Sequence, residues 1–217
     1  MCSSDLKAGT AQMLARLLDE GAGDLGSDAF QEALAARAIE LHFHAGPDSV
    51  GGSLKVLTKH ADEAIRLTAL ALAEPRLDPV AIERVRSQMI ASLRYQQNDP
   101  GVMASRRYFR EAFPGHPYSR PSAGTLESLA GITRDDLVAM HRALIGRGGL
   151  KVAVVGAVEA EGVAGMLEKA FGSLPEAAPL TTVPATHIPD PGRRIVVDLD
   201  VPQSLIRFGL GGVAWRD

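Results

Sequence analysis

Apolar residues Ala11, Leu14, Leu17 and Leu18 recur at helical spacing, so the pattern predicts a helix over residues 7–20 that Gly21 and Gly23 stop. Ser27 and Asp28 offer an N-cap for a second, shorter helix over residues 29–36. The period then changes: Ile39, Leu41 and Phe43 alternate with Glu40, His42 and His44, which predicts a strand. Gly46-Pro47-Asp48-Ser49 turns the chain, and Leu54, Val56 and Leu57 mark the returning strand of a hairpin. Two long helices are predicted at 60–72 and 79–96, with Asp78 as cap and Pro79 in the first turn of the second. Further helices are expected at 102–113, at 134–144 behind the cap Thr133, and at 160–171. Between the last two, residues 150–156 (Leu-Lys-Val-Ala-Val-Val-Gly) form a near-continuous apolar run expected inside a sheet.

Composition shifts at residues 174–191, where Pro175, Pro179, Pro184, Pro189 and Pro191 preclude regular structure and read as a linker. Strand-like pieces follow at 194–201 and 205–210, the expected opening of a second domain. The division expected is therefore a first domain at 7–178, a linker at 179–192 and the beginning of a second domain at 193–217. Lys7 opens a helical pattern with no strand before it, which points to a natural start, with any export signal, upstream of residues 1–6.

The chain has 217 residues, of which 46% are hydrophobic, enough to bury a full core. Its 23 basic and 26 acidic residues give a formal net charge of −3 without long like-charge runs, which disfavours nucleic acid and anionic membranes. A protein or peptide partner is expected instead. No stretch approaches the roughly 18 consecutive apolar residues of a membrane span. Cys2 is the only cysteine, so an internal disulfide and a thiolate-rich zinc site are both excluded.

Several signatures occur in a fixed order: Gly9-Thr-Ala-Gln-Met-Leu14 on the first helix, Phe113-Pro-Gly-His-Pro-Tyr118 followed by Gly124, Ile132-Thr-Arg-Asp-Asp-Leu137, and Val152-Ala-Val-Val-Gly156 leading to Phe171-Gly-Ser-Leu-Pro175. Together they resemble the N-terminal domain of the pitrilysin/insulinase family of inverted zincins. The resemblance implies an α+β fold, a sheet backed by helices, truncated here at both ends. Active members carry H-x-x-E-H on the first helix, with two His at i and i+4 binding Zn²⁺ and the Glu polarising a water. In this chain the register gives Gln12, Ala15 and Arg16, and the third ligand position, on the second helix of the helical pair, falls at Ser92 beside Ala91. Ligands and base are replaced together, and a guanidinium at the place of an imidazole opposes a dication.

His42 and His44 share one strand face, but no third ligand at short spacing makes them a metal site. By resemblance, their strand is a sheet edge that takes up substrate backbone, which would make His42 and Phe43 substrate contacts. His116 reads as a turn and packing residue, and Asp19 and Glu20 as a solvated helix end. The function implied is a catalytically inactive subunit. It would carry no cofactor of its own and would pair with a zinc-bearing paralogous subunit to enclose a peptide chamber in the periplasm or cell envelope of a bacterium. A structural scaffold without proteolysis is the alternative class, and an active zinc metalloendopeptidase with an unconventional site is a third.

Overall fold

The computed structural model describes residues 7–176, 183–187 and 192–211. Residues 1–6, parts of the predicted linker and the last residues of the predicted second domain lie outside these.

The first helix, α1, is Thr10–Ala15, shorter than its periodicity suggests. Past Ala15 the turns tighten, with Leu17 N donating to Leu14 O at 2.8 Å and Glu20 N to Leu17 O at 3.1 Å, so Leu17 and Leu18 still point inward. Helix α2 is Ser27–Ala35; its N-cap is Gly26, and Ser27 and Asp28 make no capping bond, because the Ser27 hydroxyl is drawn to Glu20 at 2.6 Å. The hairpin follows as β1 Glu40–Ala45 and β2 Val50–Lys55, antiparallel from Glu40 opposite Lys55 to Ala45 opposite Val50. Helices α3 (Ala61–Ala73) and α4 (Pro79–Tyr95) form the predicted helical pair. Asp78 does stand at the N-cap of α4, but its carboxylate is taken by Arg76 Nε at 2.7 Å and does not cap.

Helix α5 is Pro100–Ala112, begun two residues early because Asp99 accepts from Val102 N at 3.0 Å. A short helix absent from the sequence reading, α6 Leu126–Gly131, rests on a reciprocal capping box between Thr125 and Ser128. Helix α7 (Arg134–Leu144) has the same device between Thr133 and Asp136, and α8 is Ala160–Phe171.

Two apolar clusters make the core. The larger gathers Met13, Leu14, Leu17 and Leu18 of the α1 region with Ile82, Val85, Met89 and Leu93 of α4 and Leu129, Ile132 and Leu137 around α6 and α7. The smaller joins Phe30 and Leu34 of α2 to Leu41 of β1 and Ala64, Leu67 and Ala71 of α3, and Phe43 packs against both. The backbone where α1 begins lies against the loop before α6. Gly9 has φ +94°, Gly124 has φ +82°, and a Cβ on Gly124 would meet Ala8 O at 2.7 Å. Lys7 Nζ reaches Asp136 Oδ2 at 2.6 Å and also the Gly131 carbonyl, which fastens the same junction.

The apolar run at 150–156 is the main departure from expectation. It forms no strand, and Val155 is 98% exposed. An inner strand needs a hydrogen-bonding neighbour on each side; among the described residues the only ladder is the β1–β2 hairpin. Residues 194–201 and 205–210 likewise form no strand.

Because Gly124 combines a left-handed φ with a backbone neighbour that cannot move aside, Gly124→Ala should lower unfolding stability by about 1–3 kcal/mol. Gly149 also has positive φ but faces open space, so Gly149→Ala should cost only about 1 kcal/mol in the same urea titrations. Equal losses would show that close packing at the start of α1 contributes nothing.

Candidate functional site

The register of β1 determines which of its backbone groups face outward. Gly46 N donates to Ser49 O at 2.8 Å, so this pair at the turn is hydrogen bonded. In an antiparallel ladder bonded and non-bonded pairs alternate, which makes His44/Gly51, His42/Ser53 and Glu40/Lys55 the bonded pairs. The N–H and C=O groups of Leu41, Phe43 and Ala45 therefore point to the other edge, where no strand pairs with them among the described residues. Gln12 Nε2 lies 3.5 Å from Ala45 O and 3.4 Å from Ser122 Oγ, and so marks one end of that edge. At the hairpin tip Tyr118 Oη donates to Asp48 Oδ1 at 2.7 Å. Tyr118 also sits edge-on to Phe113 and to His116, which is buried and accepts from Tyr118 N through Nδ1 at 3.2 Å. His116 thus has the turn and packing place expected of it.

The residues that the resemblance puts at the zinc positions are brought near one another only in part. Gln12 lies at the β1 edge and Arg16 follows it by one helical turn; Gln12 is half-buried and Arg16 exposed. Ala15 faces the core, with 2% exposure. Ser92 is exposed on α4, and its Oγ accepts from Gln96 Nε2 at 3.3 Å. No hydrogen bond links Ser92 to Gln12 or Arg16 among the described residues. An amide, a methyl, a guanidinium and a hydroxyl do not make a zinc ligand set. Nor does any group of three His, Cys, Asp or Glu side chains capable of holding a metal occur among the described residues. No metal-dependent step can be assigned to these groups.

His42 and Phe43 alternate to opposite faces of β1. His42 is exposed, whereas the Phe43 ring packs between the two core clusters and over Gly52. What Phe43 offers the outside is its backbone. His44 lies across Gly51, whose hydrogen leaves room for the imidazole that a Cβ would meet at 2.7 Å.

Asp19 and Glu20 differ from the solvated helix end expected of them. Burial pushes the Asp19 carboxyl up from 3.8 to about 6, assisted by Glu20 and opposed by its own backbone hydrogen bond, His42 and Arg84. Glu20 is held below its ordinary range by its hydrogen bonds from Arg84, with Arg84 Nη1 at 2.8 Å, and from Ser27. The 64-residue separation of Glu20 and Arg84 leaves no periodic or motif signal by which sequence could pair them.

With this geometry in place, the class the fold defines is an α+β domain, a small antiparallel hairpin backed by helices, of the kind seen in solved M16 structures. Residues 131–217 match the family model described as the Peptidase M16 inactive domain. The chain is 27% identical over 201 residues to "Non-peptidase homolog YmxG" of Helicobacter pylori, covering 93% of this chain and 46% of that protein. Among solved structures, it resembles a peptidase M16 inactive domain from Pseudomonas fluorescens (TM-score 0.78, 23% identity, 84% of this chain, 45% of that one). It also resembles pitrilysin (TM-score 0.69, 24% identity, 81% of this chain, 20% of that one). The chain thus resembles the M16, pitrilysin-type peptidases in fold and over residues 131–217, and it carries no H-x-x-E-H motif. It spans less than half the length of these relatives. No helix among the described residues is long and apolar enough to cross a membrane.

The raised pKa of Asp19 has a definite sign. Between about pH 4 and pH 6 the folded chain holds a proton that the unfolded chain has lost, so this group lowers stability progressively as pH rises through that window. Glu20 acts in the opposite sense: its stabilisation is present at neutral pH and fades as pH falls below its ordinary range. Asp19→Asn should remove the first slope and raise stability at pH 8 by about 1 kcal/mol, a value reduced for partial solvent exposure. Thermal melts from pH 4 to 8 measure this; an unchanged slope in the variant would exclude Asp19 as its origin.

Proposed function

We propose that this chain is part of a catalytically inactive M16-type subunit that pairs with a zinc-bearing paralogous subunit, the two enclosing a chamber in which peptide is held here and cut by the partner. The observation that carries this reading is the combination at one place of a retained open β1 edge and a first helix without metal ligands. An extended peptide can pair with the outward backbone groups of Leu41 and Phe43, with the exposed His42 beside it, while the chain itself supplies no activated water. Binding without cleavage is useful only if cleavage happens elsewhere in the assembly. A relative bearing the name of a non-peptidase homologue supports the same view. We further propose a first domain at 7–178, a linker at 179–192 and the start of a second, homologous domain at 193–217; the family match at 131–217 runs across that division. The periplasm or cell envelope is the proposed compartment.

Co-expression with a zinc-bearing paralogue from the same genome tests the proposal. The two chains should co-elute as one complex whose peptide hydrolysis is abolished by a chelator, and this chain alone should hydrolyse nothing. Chelator-sensitive hydrolysis by the purified lone chain would overturn it.

A further inference from the structure

The segment of α1 that lies against β1 carries a charge without a partner among the described residues. The Arg16 guanidinium is exposed and makes no ion pair or hydrogen bond among the described residues. Most other cations nearby are committed. Arg84 is bound to Glu20, Arg86 reaches Glu83 and the Leu129 and Ile132 carbonyls, and Lys7 is bound to Asp136. Asp19, one turn beyond Arg16, has Glu20, His42 and Arg84 as its electrostatic neighbours, and Arg16 is not among them.

Two contacts locate Arg16 along the strand. Gln12 bonds Ala45 at one end, and Asp19 is within electrostatic reach of His42 at the other. The segment from Gln12 to Asp19 therefore runs beside β1 from its Ala45 end toward His42, opposite to the strand's own direction. Arg16 lies between Gln12 and Asp19 on that segment, and the Phe43 N–H and C=O of the strand it accompanies pair with no strand among the described residues. This side of β1 thus offers a planar five-donor cation, an amide donor from Gln12 and the pairing groups of a sheet edge.

We infer that Arg16 is a specificity residue that captures a carboxylate of an extended peptide lying along the β1 edge. The inference rests on the peptide-binding reading proposed above and names the substrate class for it: peptides carrying a carboxylate. A guanidinium matches a carboxylate in two parallel hydrogen bonds, and the charged bonds are the stronger for it. The same substitution that denies the helix a zinc dication thus gives it an anion receptor.

The carboxylate can belong to the peptide's C-terminus or to an acidic side chain, and the test distinguishes the two. Fluorescence anisotropy with the full chain would compare extended decapeptides of one β-prone sequence: one with a free C-terminus, its C-terminal amide, and an amidated peptide with an internal Glu. The free-acid or the Glu peptide should bind at least about tenfold more tightly than the plain amide. Arg16→Gln should abolish that preference while the amide's affinity stays unchanged, and Arg16→Lys should restore part of it. Arg16 is exposed, so both variants should keep the wild-type circular dichroism and melting temperature. Preference for the free acid alone assigns a C-terminal carboxylate, and preference for the Glu peptide alone assigns a side chain. Binding that is indifferent to both the carboxylates and Arg16→Gln overturns this inference but leaves edge binding standing. Absence of any peptide binding by the wild-type chain overturns the edge reading itself.

Discussion

The seating of α1 is the constraint on which the other features depend. Four of the largest core residues, Met13, Leu14, Leu17 and Leu18, come from this short segment, and each is at most 2% exposed. Their burial sets the angle of the segment against α4, α6 and α7, and side chains on its remaining face must then flank β1. The backbone at Ala8 and Gly9 can reach that seat only because Gly124 has no Cβ to strike Ala8 O, and the Lys7–Asp136 pair fixes the chain entering it. A helix of six residues has little stability of its own; here tertiary packing holds it in place, independently of the residues on its exposed side.

Much of this was legible in the residues. Periodicity located α3, α4, α7 and α8 closely, because those helices have continuous apolar stripes and, at α7, a Thr133 cap followed by Asp136. The hairpin was legible because Leu41 and Phe43 alternate with His42 and His44 around a Gly-Pro-Asp-Ser turn. Helix α6 was missed, although Thr125 and Ser128 form a capping box, because only Leu126 and Leu129 mark its apolar face. The run at 150–156 misled for a different reason: an apolar β-branched segment records what a sheet would accept, and no neighbouring strand pairs with it among the described residues.

The site was legible as a replacement of residue types rather than as a geometry. Gln12, Ala15, Arg16 and Ser92 were singled out by the resemblance alone, which did not tell that Ala15 is buried, that Ser92 is turned to Gln96, or that Gln12 reaches Ala45. His42 and Phe43 were expected to act together. Strand alternation separates them, so that Phe43 serves the core with its ring and the edge with its backbone. The Asp19, Glu20 and Arg84 group depends on a tertiary contact that no local pattern encodes.

The fold resembles solved M16 structures, and the reading proposed for it is a peptide edge on β1 without zinc at Gln12, Arg16 and Ser92. Its most direct test is metal content, measured by titrating the purified chain with Zn²⁺ after chelator treatment and analysing the washed protein by elemental mass spectrometry. The account predicts zinc far below one equivalent per chain, with no binding at micromolar concentration. One tightly held equivalent, lost on substituting Gln12 or Ser92, would contradict it.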